Sequence, residues 1–152
     1  MPSGTHHIEL TLPIKVIWEF VKDMDNWAPL VPNYIQHEKV NESQSTWEFK
    51  NDLGIIKTKM SLLIDIIEWK EPTRVSFTLK SKSERFTGSG FFEAKALNVN
   101  KTKLTGFLEV TANGKMGPTM NSKLETSLPE YVEEMGVSIA KKLEELYGKI
   151  KR

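Results

Sequence analysis

Residues 103–150 read KLTGFLEVTANGKMGPTMNSKLETSLPEYVEEMGVSIAKKLEELYGKI, and a change of period inside this stretch decides the fold. Up to Ala112 the apolar positions Leu104, Leu108 and Val110 fit the two-residue repeat of a strand over Lys103–Ala112. Past Asn113-Gly114 the repeat becomes helical. Met116, Met120 and Leu124 form one stripe, and Leu128, Val132, Met135, Ile139, Leu143, Leu146 and Ile150 form a second, longer one. Pro129 falls between them, so a kink or a fresh helix start is expected there. Glu130, Glu133, Glu134, Lys141, Glu144 and Glu145 occupy the opposite, solvated face, and Gly148 marks fraying.

Upstream of this switch the period of two holds from Asn33 to Ala112, broken by short turns. The predicted strands are Tyr34–Val40, Ser45–Asn51, Gly54–Trp69, Thr73–Lys80 and Arg85–Leu97, before the one ending at Ala112. Turns at Asn41-Glu42-Ser43, Asp52-Leu53-Gly54, Lys70-Glu71-Pro72 and 98–101 are too short for helical crossovers, so the pairing is antiparallel. At the start, Thr5–Leu12 alternates with Ile8, Leu10 and Leu12 on one face. Pro13 then opens a short amphipathic helix to about Lys22, carrying Ile14, Ile17, Trp18 and Val21. Asp23, Asp25 or Asn26 can cap a second short helix around Trp27–Val31, which Pro32 stops. The order is one strand, two short helices, six strands and a long helix: an α+β chain in which a seven-stranded antiparallel sheet is covered on one face by the last helix. Gly88, Gly90 and Gly106 suit a curved, bulged sheet.

Composition narrows the function. The 152 residues fit one domain, 1–152, that needs no staple, and the absence of cysteine excludes disulfides, zinc-thiolate sites and thiol nucleophiles. A net charge of +1 from 21 basic and 20 acidic side chains, interspersed, provides no field to steer nucleic acid. The opening residues lack a signal-peptide pattern, and the longest apolar run, Ile55–Trp69, is broken by Lys57, Lys59 and Asp65. A cytoplasmic location is expected.

This order of elements resembles the START-like (SRPBCC, helix-grip) superfamily, which includes steroidogenic lipid-transfer domains, the birch pollen allergen and polyketide cyclases. Three stretches are most similar to its CoxG branch, the accessory subunits of carbon monoxide dehydrogenase. They are the opening Pro13…Val16-Ile17-Trp18-Glu19-Phe20…Asp23-Met24…Trp27…Val31-Pro32, the Asp52-Leu53-Gly54-Ile55-Ile56 lead into a long strand, and Lys115-Met116-Gly117-Pro118 before the last helix. The resemblance implies an apolar cavity between sheet and helix, a lipid or isoprenoid-like ligand, and a redox enzyme as partner. Some members of that branch extend past the long helix toward the membrane; with the last apolar helix position at Ile150, no anchor is expected. Lys141, Lys142, Lys149, Lys151 and Arg152 read first as a solvated terminus, with weak peripheral contact with an anionic surface as the minor alternative.

No metal, cofactor or catalytic constellation stands out. His6 and His7 are neighbours on a strand, point to opposite faces and read as surface or edge residues; His37 has no nucleophile paired with it in the sequence. Gly88-Ser89-Gly90 lacks the third glycine and helix of a phosphate loop. Asp65 belongs with Lys57, Lys59 and Ser61 on a solvated face. The inward register is Ile56, Thr58, Met60 and Leu62; Val75, Phe77 and Leu79; Phe92 and Ala94; Leu104, Leu108 and Val110. From periodicity alone these are core. The resemblance turns a subset into cavity lining: Met60, Leu62, Phe77, Leu79, Phe92 and Leu108 from the sheet, and Met116, Met120, Leu124, Val132, Met135 and Ile139 from the helix. Trp27 and Leu30 would gate the mouth, although Trp27 equally suits a structural plug. Tyr34 or Arg85 would offer a polar handle, and Trp47 and Phe49 would line the far wall or pack in the core. A binding or carrier protein for an apolar small molecule is therefore expected. The alternative is a cyclase- or hydratase-like enzyme, for which no acid–base pair can be named.

Overall fold

In the computed structural model, residues 2–31, 34–50, 59–81, 85–115 and 117–147 are described. Alternation sets the first element: β1 (Ser3–Leu10) turns Gly4, His6, Ile8 and Leu10 to one face. Pro13 holds an extended backbone, and its carbonyl accepts the Val16 and Ile17 N–H groups at 3.1 and 3.4 Å to start α1 (Ile14–Val21). The apolar stripe Ile17, Trp18, Phe20 and Val21 is buried, each side chain contributing roughly 1.5–3 kcal/mol. Asp23 accepts the Asp25 N–H at 3.0 Å and so caps α2 (Met24–Trp27), which tightens into a single 3-10 turn, Ala28–Leu30. Thus the second helix forms where the acidic cap residues predict, one turn early.

β2 (Tyr34–Lys39), β3 (Gln44–Lys50), β4 (Lys59–Lys70), β5 (Arg74–Ser81), β6 (Phe86–Asn98) and β7 (Lys101–Ala112) follow. All pairs are antiparallel, in the order β1-β7-β6-β5-β4-β3-β2, so the first strand closes on the last. Asn113-Gly114 ends β7, with Gly114 at φ 86°, a backbone conformation glycine adopts at no steric cost. α3 (Gly117–Tyr147) then crosses the sheet, packing on β1 and β7. It runs through Pro129 as one helix. The fresh start expected there does not occur, because the helix is held from outside. Leu128, beside Pro129, is buried, and a Cβ on Gly4 of β1 would lie 2.7 Å from its carbonyl oxygen. The β1 backbone therefore supports the very turn that proline weakens.

The core has two parts. The larger joins α1, α2, the inner sheet and the second half of α3 through Ile139, Ala140 and Leu143. The smaller joins Ala112 to Met120, Leu124 and Leu128 on the first half of α3. Half-buried Leu108 and Val110 touch both.

Candidate functional site

Cross-strand register defines the inner face row by row. Gly4, Leu108, Gly90, Phe77 and Ile66 form one row, and Val110, Gly88, Leu79, Ile64 and Ser45 the next. Leu62 opposes Trp47 and Ser81 in a third. A bulge after Ile66 shifts the register so that Trp69 opposes Val75 and meets Trp18 of α1 edge-on at 6.2 Å. Phe91 and Phe107 stack on the opposite face at 5.2 Å, beneath the Arg74 guanidinium.

Along the inner face burial is uneven. Near α1, Val75 and Leu104 are fully covered. In the middle, Leu62, Phe77, Leu108 and Val110 are only half-buried, as are Tyr131 and Met135 on α3. These side chains pack against the core while keeping part of their surface exposed. A Cβ on Gly90 would lie 2.7 Å from Phe77 Cζ, so the glycine makes room for that ring. A crevice of about 10 Å³ between α1 and β5–β6 has room for one water and is too small for a ligand.

The residues predicted to line a cavity divide accordingly. Leu30, Tyr34, Leu62, Phe77, Leu108 and Met135 are half-buried and pack against the core. Leu79, Phe92, Met120, Leu124, Val132 and Ile139 are buried and pack in the core. Met60 takes the β4 position opposite Phe49, while Met116, Ile56 and Thr58 lie outside the described residues. Trp27 is buried. It is 6% exposed, its indole N–H donates to the Val21 carbonyl at 2.9 Å, and its ring packs on Trp47 and Phe92. Trp47 belongs to the core too, donating to Ser45 Oγ at 2.8 Å. Arg85 is exposed and supplies no interior handle.

Tyr34 does. Its hydroxyl lies 2.5 Å from His37 Nδ1, and His37 Nε2 lies 2.6 Å from Asp25 Oδ1. Lys39 adds its ammonium to Asp23 and Asp25 at 3.4 and 3.3 Å. The His37 bond and the Lys39 charge hold the Asp25 carboxyl below the usual carboxylate range. Burial pushes the Tyr34 phenol up, as it does, much more strongly, for Tyr131. His37 thus joins Tyr34 to Asp25, a connection that its sequence context does not show. A register shift between Tyr34 and Gln36 makes the connection, since residues three apart on a regular strand face opposite ways. His6 corrects the edge reading: it faces inward against Gly136 of α3, its Nε2 buried without a partner among the described residues, while His7 bonds Thr105 Oγ1 outside at 2.9 Å.

Among the described residues, no group of three or more His, Cys, Asp or Glu could hold a metal ion, and no helix is long and apolar enough to cross a membrane.

A family model matches residues 1–150, nearly the whole chain. A comparison with curated proteins gives no match. Among solved structures, a Thermus thermophilus protein superposes at TM-score 0.78 with 16% identity, over 96% of this chain and 99% of that one. A START superfamily protein from Mycobacterium smegmatis gives 0.69 at 15% identity, over 95% and 98%. The Zhui aromatase/cyclase from a Streptomyces species gives 0.65 at 15% identity, over 99% and 95%. In fold the chain is a helix-grip α+β protein like these structures.

Proposed function

We propose that the chain binds an apolar small molecule, lipid or isoprenoid-like, between α3 and the middle of the sheet. One observation carries this reading. Leu62, Phe77 and Leu108 on the inner face of the sheet and Met135 on the helix pack against the core yet stay only partly buried. A folded chain buries such surface when it can, and about 25 cal/mol per Å² rewards a ligand that covers it instead. Met135 adds a flexible thioether that adapts to varied apolar shapes. The likeness of the opening helices to the CoxG branch extends the reading to a cytoplasmic accessory protein that serves a redox enzyme. Cyclase-like catalysis in the same pocket is the second reading, favoured by the Tyr34–His37–Asp25 chain, which could pass a proton.

Native mass spectrometry of the freshly purified chain tests the first reading: a co-purified apolar molecule is expected, lost on extraction with organic solvent. Phe77→Asp, on the half-exposed wall, should fold and lose that molecule. A folded Phe77→Asp chain that still carries it would place the ligand elsewhere.

A further inference from the structure

The hydrogen-bond roles along the Tyr34–His37–Asp25 chain can be assigned one after another, and together they decide what a ligand can present to Tyr34. Asp25, flanked by Lys39, is a carboxylate and accepts only. His37 Nε2, 2.6 Å away, must therefore carry the proton. A neutral imidazole has one N–H, which leaves Nδ1 an acceptor. Tyr34, 2.5 Å from Nδ1, then donates its hydroxyl hydrogen to it. That hydrogen is committed. The phenol oxygen offers a ligand lone pairs alone.

We propose that Tyr34 makes the pocket rim selective for an apolar ligand ending in a hydrogen-bond donor, an alcohol or phenol hydroxyl, over its carbonyl counterpart. This rests on the apolar-ligand reading and adds the polar end. Position supports it: Tyr34 is half-buried on the inner face, packed against the core and one row from Leu62, where β2 follows the 3-10 turn. Trp47 lies against His37 at 5.3 Å and meets Tyr34 edge-on at 6.0 Å, which fixes both rings. A ligand carbonyl brought to the phenol oxygen would face lone pairs with lone pairs, leaving a buried acceptor unsatisfied.

A second proton on His37 reverses the roles. Both ring nitrogens then donate, the phenol oxygen accepts from Nδ1, and the freed hydroxyl can donate to a carbonyl. The charged groups around the ring are Asp25 and the α2 cap Asp23 on one side and Lys39 on its own strand. The inner-face neighbours on β3, which are Ser45, Trp47 and Phe49, carry none.

The matched probes 2-dodecanol and 2-dodecanone, titrated by calorimetry into the full chain, test the assignment. At neutral pH the alcohol should bind roughly tenfold tighter, the worth of one buried hydrogen bond. Tyr34→Phe should remove that preference by weakening the alcohol alone. His37→Phe, which keeps a flat ring against Trp47, should free the Tyr34 hydroxyl and draw the ketone level or ahead. Equal or tighter ketone binding by the unaltered chain at neutral pH overturns the donor selectivity and leaves an apolar carrier standing. Failure of both compounds to bind overturns both readings.

Discussion

Leu108→Trp separates an uncovered wall from a packed core. Leu108 lies half-buried between the two core clusters, on the row that joins Gly90 to Phe77. Leu143 on α3 is 0% exposed and serves as the control. Where space is free, an indole replaces the isobutyl group without strain and adds on the order of 1 kcal/mol of apolar burial. Where packing is complete, the larger ring costs about 1–3 kcal/mol. For a chain of this size each kcal/mol moves the melting temperature by about 2–4 °C. Calorimetric melting should therefore show Leu108→Trp unchanged or raised by about 2–4 °C, and Leu143→Trp lowered by about 2–12 °C. Fluorescence titration with 8-anilino-1-naphthalenesulfonate should show the reverse pattern for uptake: lost in Leu108→Trp, kept in whatever fraction of Leu143→Trp folds. Equal losses of stability in the two variants, with dye uptake intact in Leu108→Trp, would refute the uncovered wall.

Three further outcomes follow from single contacts. Gly88→Ala should prevent or badly weaken folding, since its Cβ would overlap the Glu109 carbonyl oxygen; Gly106→Ala, whose nearest neighbours would be 3.8 Å away, should melt within a few degrees of the parent. Equal melting temperatures would contradict this. Thr102→Val should cost about 1–3 kcal/mol in urea denaturation, because its hydroxyl donates at 2.8 Å to the Leu12 carbonyl in a fully buried place; a neutral result would show that carbonyl to have another donor. The bond from His37 lowers the Asp25 pKa in the folded chain, so the stability it confers is complete above about pH 4 and fades as pH falls below. The stability gap between parent and Asp25→Asn should shrink on acidification, and a gap that widened would reverse the assignment.

Much of the architecture is legible in periodicity. The strands and the long helix fall within a few residues of where the apolar repeats place them, because each buries one face against the same core; β1 ends at Leu10, short of Leu12, and the expected turn and strand start at Asp52-Leu53-Gly54 lie outside the described residues. Pro129 misleads, since the support that β1 provides at Gly4 is a tertiary fact with no local signal. The site is legible by half. Alternation identifies Leu62, Phe77 and Leu108 as inward-facing, but it cannot tell a covered inward side chain from an uncovered one, which depends on where α3 crosses. Hence Leu79 and Phe92, on the same face, are core instead. The polar chain at the rim escapes sequence reading for a different reason. Asp25 is twelve residues from His37, and a strand of unbroken alternation would put Tyr34 and His37 on opposite faces. Only the bulge beside Ile35 brings them together.

The pairing of β1 with β7 sets a timetable for the nascent chain. Ser3 meets Glu109 and Leu10 meets Thr102, so the first strand made waits for roughly a hundred more residues before it has a neighbour. At about 5–20 residues per second on the ribosome, that is on the order of 5–20 s with Ile8 and Leu10 unpaired. Contacts so distant along the chain also slow the search for the native arrangement.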